Sequence, residues 1–384
     1  MPKSFPRRDF LLWLVVLPLA GCTPAQIQRG LSTTERVLSG DMAGAVSHQI
    51  PVTGLGVVDQ AVRRQVQTMV REIGRRWTDQ KVASEREYVK YTDNYQTRAI
   101  VNFDRGLIRV ETVRPQEPRA TLRRAIVATL LTPEDPARVD LLSAREIPAD
   151  GRPFLYRLVV DHEGEYIRWP WRAERYADYL LAHAYRREPA GDRTVHYVTF
   201  AMVRQYQQNQ QFKFQQAVLE NARRFNQPPP LIFAIIEAES SFNPYAMSHV
   251  PAYGLMQIVP TSAGRDAHQL LYGRAGTPTR EYLFVPANNI RMGTAYLHIL
   301  DRRYLRGVGN RLSREYCVIA AYNTGSGNVL NAFDRGDRTR ALARINRLGP
   351  QEVYRHLVRN LPYRETREYL PKVVRLQDKY RGIG

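Results

Sequence analysis

The feature that most constrains this chain is a short apolar segment that carries two glutamates and is bounded by prolines. Three consecutive prolines precede residues 231–241, and Asn243 and Pro244 follow them. Proline suits the first turn of a helix, where no backbone donor is needed. The residue before a proline is pushed out of the α region. The sequence therefore predicts a short helix over residues 231–241 that ends at Asn243 and Pro244.

The two glutamates of this segment are two positions apart, so their carboxylates cannot face the same bond. On a wheel of 3.6 residues per turn, Glu239 shares one face with Ile232, Ile235 and Ile236, whereas Glu237 lies off that face. Burial on an apolar face raises the pKa of a carboxyl group, as a general acid at neutral pH requires. Taken alone, Glu239 is more often a salt-bridged core residue. The motifs that follow favour the general acid.

Four short motifs occur in a fixed order between residues 239 and 369. They are Glu-Ser-Ser-Phe-Asn-Pro from residue 239, Gly-Leu-Met-Gln from residue 254, Ala-Tyr-Asn-Thr-Gly-Ser-Gly from residue 321 and Glu-Thr-Arg-Glu-Tyr from residue 365. Together they resemble the goose-lysozyme-like lytic transglycosylases, which cut the glycan of peptidoglycan. The resemblance implies a mainly-α, lysozyme-like catalytic domain of the goose and soluble-lytic-transglycosylase type.

The resemblance also implies a reaction that needs one carboxylate. Glu239 would protonate the glycosidic oxygen between N-acetylmuramic acid and N-acetylglucosamine. Its carboxylate would then take the proton of the C6 hydroxyl of the same muramoyl residue, which attacks C1 and leaves a 1,6-anhydromuramoyl end. An intramolecular nucleophile removes the need for the second carboxylate that most glycoside hydrolases use. Two alternatives stay open: a hydrolytic muramidase on the same fold, and a catalytically inactive peptidoglycan-binding scaffold.

Seven further side chains are implied to bind the substrate around the acid. Some would line the sugar cleft, one tyrosine hydroxyl would lie near the acid across it, and a second tyrosine would close the site. They are Ser240, Ser248, Met256, Gln257, Tyr322, Asn323 and Tyr369. No Cys/His cluster has the spacing of a metal site, so we expect neither a metal nor another cofactor.

The first 22 residues predict export and a lipid anchor. A basic head precedes an apolar run over residues 10–20, which is too short to span a bilayer and indicates a signal peptide over residues 1–21. The run closes with Leu-Ala-Gly-Cys, which matches the bacterial lipobox and predicts lipidation of Cys22. In lipoproteins generally, the absence of Asp directly after the cysteine favours transfer to the outer membrane. Residue 23 is Thr, so we expect the protein at the periplasmic face of the bacterial outer membrane. Arg7 and Arg8 also resemble a twin-arginine signal, so the export route stays open.

The remaining chain divides into three parts: a tether over residues 22–57, an antiparallel α+β domain over residues 58–204, and the helical catalytic domain over residues 205–384. We expect the N-terminal domain to position the enzyme, and the helical domain to fold and cleave alone. In the α+β domain we predict helices over 58–77, 120–131 and 173–186, hairpins over 87–102 with 107–113 and over 154–161 with 166–169, and a strand over 194–203. In the catalytic domain we predict further helices over 212–225, 286–304, 315–322, 352–361 and 364–380.

The composition indicates an anionic partner. The chain has 384 residues, a formal net charge of +19 and an isoelectric point near 10.1. Its basic residues are spread along the chain, and no zinc-finger spacing or RNA-recognition signature accompanies them, which argues against nucleic acid. Peptidoglycan glycan strands, with their peptide carboxylates, and an anionic membrane surface are the expected partners of a monomer. Cys317 is expected to be buried, with no disulfide.

Overall fold

A computed structural model describes residues 56–248 and 252–383. The predicted signal peptide, Cys22 and nearly all of the predicted tether lie outside the described residues. Within those two ranges no helix combines the length and the apolar character that crossing a membrane requires.

The first part of the described chain is built on a five-stranded antiparallel sheet with the order β1-β2-β3-β5-β4. This confirms the predicted antiparallel α+β arrangement. The strands are β1 (Glu87–Thr92), β2 (Thr97–Asn102), β3 (Leu107–Thr112), β4 (Arg186–Ala190) and β5 (Arg193–Ala201).

Helices cover both faces of the sheet. They are α1 (Gly56–Gly74), α2 (Pro118–Leu130) and α3 (Pro170–His183). The buried side chains of α2 and α3 share one hydrophobic cluster with one face of the sheet, and those of α1 with Trp77 share another with the opposite face. Because both faces are covered, β1 and β2 are buried almost throughout and show no alternation of polar and apolar residues.

The first predicted hairpin is in fact a three-stranded meander. The run over 87–102 contains two strands, because Asp93, Asn94 and Tyr95 turn the chain with φ angles of 51°, 53° and 63°. Asp and Asn enter this left-handed region more readily than other non-glycine residues, but the sequence around them has no glycine to mark the turn. Strand β4 was also missed, since α3 ends at His183 and not at residue 186.

The second predicted hairpin is wrong. Residues 154–169 contain turns and a single isolated bridge between Val160 and Tyr166. The carboxylate of Asp161 organises the segment: it accepts the backbone N–H groups of Glu163 and Glu165 and pairs with Arg172 at 2.5 Å. Such side-chain to backbone bonds compete with a strand ladder, so the apolar residues here fill the core from a turn.

The second part of the described chain is helical, as predicted. Four predicted helices were found with shifted ends, and the fifth, over 286–304, is an α-helix continued by a π-helical turn over residues 300–304. The sequence missed four shorter helices and a π-helical turn over residues 260–264. The helices are α4 (Tyr206–Phe225), α5 (Pro229–Ser240), α6 (Arg265–Tyr272), α7 (Arg280–Phe284), α8 (Pro286–Ile299), α9 (Arg311–Thr324), α10 (Ser326–Phe333), α11 (Arg338–Arg347), α12 (Pro350–Asn360) and α13 (Arg364–Lys379).

Helix α5 lies at the centre of this part. The predicted one-sided apolar face was too narrow, because residues 231–236 are all buried and the helix is surrounded almost completely. The helix also ends at Ser240, before Asn243 and Pro244, which were predicted to stop it. Ser241 and Phe242 adopt left-handed φ angles of 49° and 63°, which break the helix after Ser240. Cys317 is buried in the same core, as predicted.

Candidate active site

Glu239 lies in the last turn of α5, where the helix meets α13. Its side chain is half-buried, and the hydroxyl of Tyr369 donates a hydrogen bond of 2.6 Å to Oε1 of Glu239. Helix α13 packs along α5, so a tyrosine 130 positions later in the chain reaches the glutamate. The structure thus brings together two of the residues that the sequence assigned to one site.

Burial raises the pKa of Glu239 to about 7. The hydrogen bond from Tyr369 and the ammonium group of Lys372 lower this pKa, whereas the carboxylates of Glu365 and Glu85 raise it further. A carboxyl group with a pKa near 7 exchanges its proton readily at neutral pH. The environment therefore fits the acid and base role predicted for Glu239.

Glu237 has a different environment, although it is only two residues away. Lys379 donates from Nζ to both carboxylate oxygens of Glu237 at 2.9 Å, and the hydroxyl of Tyr380 donates to Oε2. The ring of Tyr380 stacks on Phe233 of α5 with centroids 5.3 Å apart. Glu237 therefore ties α5 to the end of α13, in agreement with the prediction that it is not the acid.

The Gly-Leu-Met-Gln motif forms a tight loop beside α5. Gly254 has a φ of 72°, and a Cβ there would lie 2.5 Å from Nδ2 of Asn289, so only glycine fits. Asn289 holds the loop: its Oδ1 accepts the N–H of Met256 at 2.7 Å, and its Nδ2 donates to the carbonyl oxygens of Tyr253 and Leu283. Asn289 lies in α8 with no motif around it, so no local signal in the sequence marks its role.

Met256 and Gln257 of this loop differ in whether their side chains could bind a ligand. Met256 is fully buried against Gly293, so its side chain offers no surface to a sugar, in contrast to the cleft-lining role that the sequence implied. Gln257 has a strained φ of 45°, and its Nε2 donates to the carbonyl oxygen of Gly254 at 2.9 Å. In the described part of the chain, Oε1 of Gln257 is buried without a hydrogen-bond partner. Because such an acceptor is costly to leave unpaired, Gln257 fits a ligand-binding position.

Tyr322 and Asn323 come from the end of α9. The hydroxyl of Tyr322 donates a hydrogen bond of 2.7 Å to the carbonyl oxygen of Met256. Burial, and then the nearby charge of Glu239, raise the pKa of Tyr322 well above its usual value, so this tyrosine lies near the acid as expected. Asn323 accepts a hydrogen bond of 2.6 Å from Thr366 and donates to Glu365 at 3.4 Å.

The two serines of the predicted set lie in different surroundings. Ser240 is fully buried, and its hydroxyl is within hydrogen-bond distance of the carbonyl oxygens of Ile236 and Leu255, at 2.9 and 2.8 Å. It links α5 to the Gly-Leu-Met-Gln loop and offers no surface to a sugar, which corrects its predicted role. Ser248 is half-buried beside residues 249–251, which are not described, and its backbone N–H donates to the carbonyl oxygen of Ala252.

Two cations that the sequence analysis missed hold the end of α5. Lys372 donates from Nζ to the carbonyl oxygen of Ala238 at 2.8 Å, and Arg86 of the N-terminal domain donates to the same oxygen at 3.0 Å. Cations suit the C-terminal end of a helix, where carbonyl groups lack partners. Lys372 follows Tyr369 by three positions on one helix, a spacing that places both on one face. No local pattern marks Arg86.

The site offers one acid with a raised pKa, surrounded by hydroxyl and amide groups. Such a site can protonate a leaving oxygen and later accept a proton. Across the two described ranges, no group of three or more His, Cys, Asp or Glu side chains is arranged to hold a metal ion.

Known proteins match both parts of the chain. Residues 57–213 match the N-terminal domain of membrane-bound lytic murein transglycosylase C, and residues 216–343 match the transglycosylase SLT domain. Membrane-bound lytic murein transglycosylase C from Klebsiella pneumoniae subsp. pneumoniae is 47% identical over 301 residues, which are 78% of this chain and 83% of that protein. The protein of the same name from Yersinia enterocolitica serotype O:8 is 45% identical over 78% of this chain and 84% of its own length. The 70 kDa soluble lytic transglycosylase SLT70 from Escherichia coli is 26% identical, with a TM-score of 0.32, over 43% of this chain and 24% of that one.

The two family models follow the architecture of the molecule. The first matches the part that contains the sheet, and the second matches the helical part that contains Glu239. Relatives with 45–47% identity over more than four fifths of their length share the whole arrangement and not one motif alone. This chain therefore belongs to the membrane-bound lytic murein transglycosylase C family.

Proposed function

We propose that this chain is a lytic transglycosylase that cleaves the bond between N-acetylmuramic acid and N-acetylglucosamine in peptidoglycan without hydrolysis, in the remodelling and turnover of the cell wall. The names of its relatives describe lytic transglycosylases of murein, which is peptidoglycan. The observation that carries the proposal is the environment of Glu239. It is a half-buried acid with a pKa near 7, hydrogen-bonded to Tyr369.

In the proposed mechanism, protonated Glu239 donates to the glycosidic oxygen while the bond from that oxygen to C1 breaks. The resulting carboxylate then accepts the proton of the C6 hydroxyl of the same muramoyl residue, and the C6 oxygen forms a new bond to C1. One bond breaks, one forms, and the proton returns to Glu239. The C6 hydroxyl is held within the substrate, so positioning supplies much of the lowering of the barrier. The hydrogen bond from Tyr369 stabilises the carboxylate between the two steps.

We propose that the remaining site residues act in two ways. Around Glu239, one group faces the substrate: the unpaired Oε1 of Gln257 and the polar groups of the other members accept or donate hydrogen bonds to the sugar. This group consists of Ser248, Gln257, Tyr322, Asn323 and Tyr369. Met256 and Ser240 act behind the cleft, where they fix the loop against α5.

A hydrolytic muramidase is the second candidate, and one observation favours it. The carboxylate of Glu365 is close enough to raise the pKa of Glu239, and a second carboxylate is what an enzyme needs to activate water. The mass of the products separates the two reactions, because an anhydromuramoyl end is lighter by one water than a reducing end. We expect anhydro ends from purified sacculi, and we expect Glu365→Gln to keep most of the activity. Reducing ends that disappear in Glu365→Gln would instead establish hydrolysis.

The role of Glu239 is tested by a matched pair of substitutions in one helix. Glu239→Gln keeps the shape and removes the proton, and we expect it to lower the rate of anhydromuropeptide release by about 10² to 10⁴-fold. Glu237→Gln changes the same atoms two residues away, where the carboxylate pairs with Lys379, and should keep most of the activity. Circular dichroism checks that both fold. Near-normal release by a folded Glu239→Gln enzyme would contradict the mechanism.

We further propose that the enzyme is a monomer anchored at the periplasmic face of the outer membrane. The names of the relatives include the words "membrane-bound", and the match of residues 19–22 to the lipobox supplies a lipid anchor at Cys22. Stable anchoring needs more than one acyl chain, and a lipidated N-terminal cysteine of this kind carries three. The division into a tether over 22–57, an N-terminal domain over 58–204 and a catalytic domain over 205–384 is part of this proposal.

A further inference from the structure

A cavity of about 380 Å³ lies in the N-terminal domain, separate from the site around Glu239. Strands β1 and β2 form one wall and helix α2 forms another. The segment around Glu146 completes it. Every residue that lines the cavity precedes residue 148 in the chain, so the catalytic domain contributes nothing to it.

The floor and the mouth of the cavity differ in exposure. Lys90, Thr97 and Thr129 form the floor, and each is only 1% exposed. Arg124 and Glu146 line the cavity at the surface, where both are exposed. The cavity therefore opens to solvent and ends on a buried ammonium group.

Lys90 has no ionic partner in the described residues. Its Nζ donates one hydrogen bond of 2.7 Å, to the carbonyl oxygen of Ser143, although an ammonium group has three donors. Arg98, which also lines the cavity, is by contrast paired with Asp79 and Glu111. Burial lowers the pKa of Lys90 to about 8, although the carboxylates of Asp140 and Glu146 act in the opposite direction and only offset part of this effect. A buried charge without a partner is costly, and a bound anion would remove that cost.

We propose that this cavity binds a carboxylate group of a peptide. The carboxylate would contact Lys90 on the floor of the cavity, and Arg124 at the mouth would add a second positive charge. Arg124 is itself free of any ion pair in the described part of the chain, and its guanidinium makes one hydrogen bond, to Thr121 at 3.3 Å. Glu146 beside it suits an amino group of the same peptide. A volume of about 380 Å³ is at the lower end for small-molecule sites and holds the end of a peptide, not a glycan strand.

The inference rests on the proposed function. The peptide stems of peptidoglycan carry free carboxylates and are attached to the muramoyl residues that the enzyme would cleave. A site for a stem in the N-terminal domain would hold a neighbouring part of the wall while Glu239 acts on the glycan.

The first test measures binding without cleavage. The full chain in detergent micelles is titrated with a sugar-free stem tetrapeptide by isothermal titration calorimetry, and ligand-observed NMR checks weak binding. The comparison peptide has the same sequence with every carboxyl group amidated. We expect the acid form to bind and the amidated form to bind at least about tenfold more weakly, because charge-assisted hydrogen bonds are lost. No binding of the acid form, or equal binding of both peptides, would overturn the inference.

Substitutions locate the binding. Lys90→Met removes the buried charge and should weaken peptide binding at least about tenfold. Lys81→Met is the matched control: its side chain is exposed in the same domain and makes no hydrogen bond or ion pair with the described residues, and its carbonyl oxygen accepts a hydrogen bond from Tyr91. Arg124→Gln, at the exposed mouth, decides the question if Lys90→Met does not fold. Wild-type peptide affinity in a folded Lys90→Met protein would overturn the inference. If Lys90→Met does not fold, wild-type peptide affinity in Arg124→Gln would overturn it.

The inference and the proposed function fail in different measurements. Wild-type enzyme that binds the acid peptide but releases reducing ends would refute the transglycosylase proposal and leave the cavity site standing. Enzyme that releases anhydro ends but binds the acid and amidated peptides equally would refute the cavity site alone.

Discussion

At the scale of single residues, Glu237 and Glu239 are only two positions apart in one helix, yet their carboxylates have different partners. Glu237 is held in an ion pair with Lys379, whereas Glu239 has no cation within ion-pair distance in the described residues and is hydrogen-bonded to Tyr369. Burial can therefore raise the pKa of Glu239. The same helix supplies a structural carboxylate and a candidate acid.

Tyr369 shifts the pH range in which Glu239 is protonated. Burial raises the pKa of Glu239 to about 7, and the hydrogen bond from Tyr369, which favours the carboxylate, keeps it from rising further. The acid form is present below that pKa, so cleavage should fall as the pH rises through about 7. Tyr369→Phe removes the hydrogen bond and should move this fall to higher pH, because the carboxylate loses its donor. It should also lower the maximal rate by about tenfold, the effect of one lost hydrogen bond to a charged group.

The measurement is the rate of anhydromuropeptide release between pH 4 and pH 10 for the wild type and Tyr369→Phe. Tyr363→Phe is a control in the segment just before α13, since the hydroxyl of Tyr363 makes no hydrogen bond within residues 56–248 and 252–383. A basic limb that stays in place in Tyr369→Phe, or moves to lower pH, would contradict the assigned hydrogen bond.

At the scale of elements, the sequence predicted helices and strands whose ends are set by residues nearby in the chain. The prolines and the apolar run gave α5 to within two residues at its start. The second hairpin failed because the carboxylate of Asp161 captures backbone N–H groups, a choice that hydrophobic pattern does not record. Asn289 and Arg86 were missed for another reason. Each acts on a segment distant in the chain, and no motif surrounds it.

The candidate site was predicted in outline and not in detail. The motif order implied Glu239, Tyr322 and Tyr369, and the structure brings these three together. The motifs did not separate side chains that face the cleft from those that support it. Ser240 and Met256 are buried behind the loop, because close packing there leaves no exposed surface.

The end of α5 depends on a clasp between the domains, formed by Arg86, Asp104, Ser241 and the carbonyl oxygen of Ala238. Arg86 bonds to Asp104 at 2.8 Å and to that carbonyl at 3.0 Å, while Asp104 accepts the hydroxyl of Ser241. Ser241 and the residue after it hold left-handed φ angles that other contacts must maintain.

We expect Arg86→Ala to lower the rate of glycan cleavage by about tenfold, because a displacement of order 1 Å at the end of α5 is enough to misplace Glu239. The glycan affinity should change less than the rate. Arg105→Ala is the matched control, since the exposed side chain of this neighbouring arginine makes no hydrogen bond or ion pair with the described residues. Equal rates in the two variants would show that the clasp does not position the acid.

At the scale of the whole molecule, the predicted anchor is the first question. Cys22→Ala removes the residue at which we propose acylation, and with it the proposed lipid anchor. We expect the variant to be recovered as soluble periplasmic protein, as cell fractionation would measure. Recovery in the membrane fraction that still requires detergent would mean that another part of the chain binds the membrane.

The two domains share a core, which changes the expectation that the helical domain acts alone. Tyr245 follows α5 but is fully buried in the N-terminal domain, with its ring centroid 5.0 Å from that of Tyr88 and 5.2 Å from that of Phe154. Its hydroxyl donates to the carbonyl oxygen of Pro133. A fragment over residues 205–384 would expose this ring a few residues from Glu239 and would lose the contact of Arg86.

We therefore expect the 205–384 fragment to melt at lower temperature than the full chain and to cleave glycan at least about tenfold more slowly. The burial of one aromatic side chain is worth about 1.5–3 kcal/mol, and the clasp adds its hydrogen bonds. Thermal melting and anhydromuropeptide release measure the two effects. Adding the separate 56–204 domain should restore part of the activity by covering Tyr245, and should restore less when Tyr88 of that domain is changed to Ala. A fragment as active and as stable as the full chain would show instead that the N-terminal domain only positions the enzyme, as its sequence alone suggests.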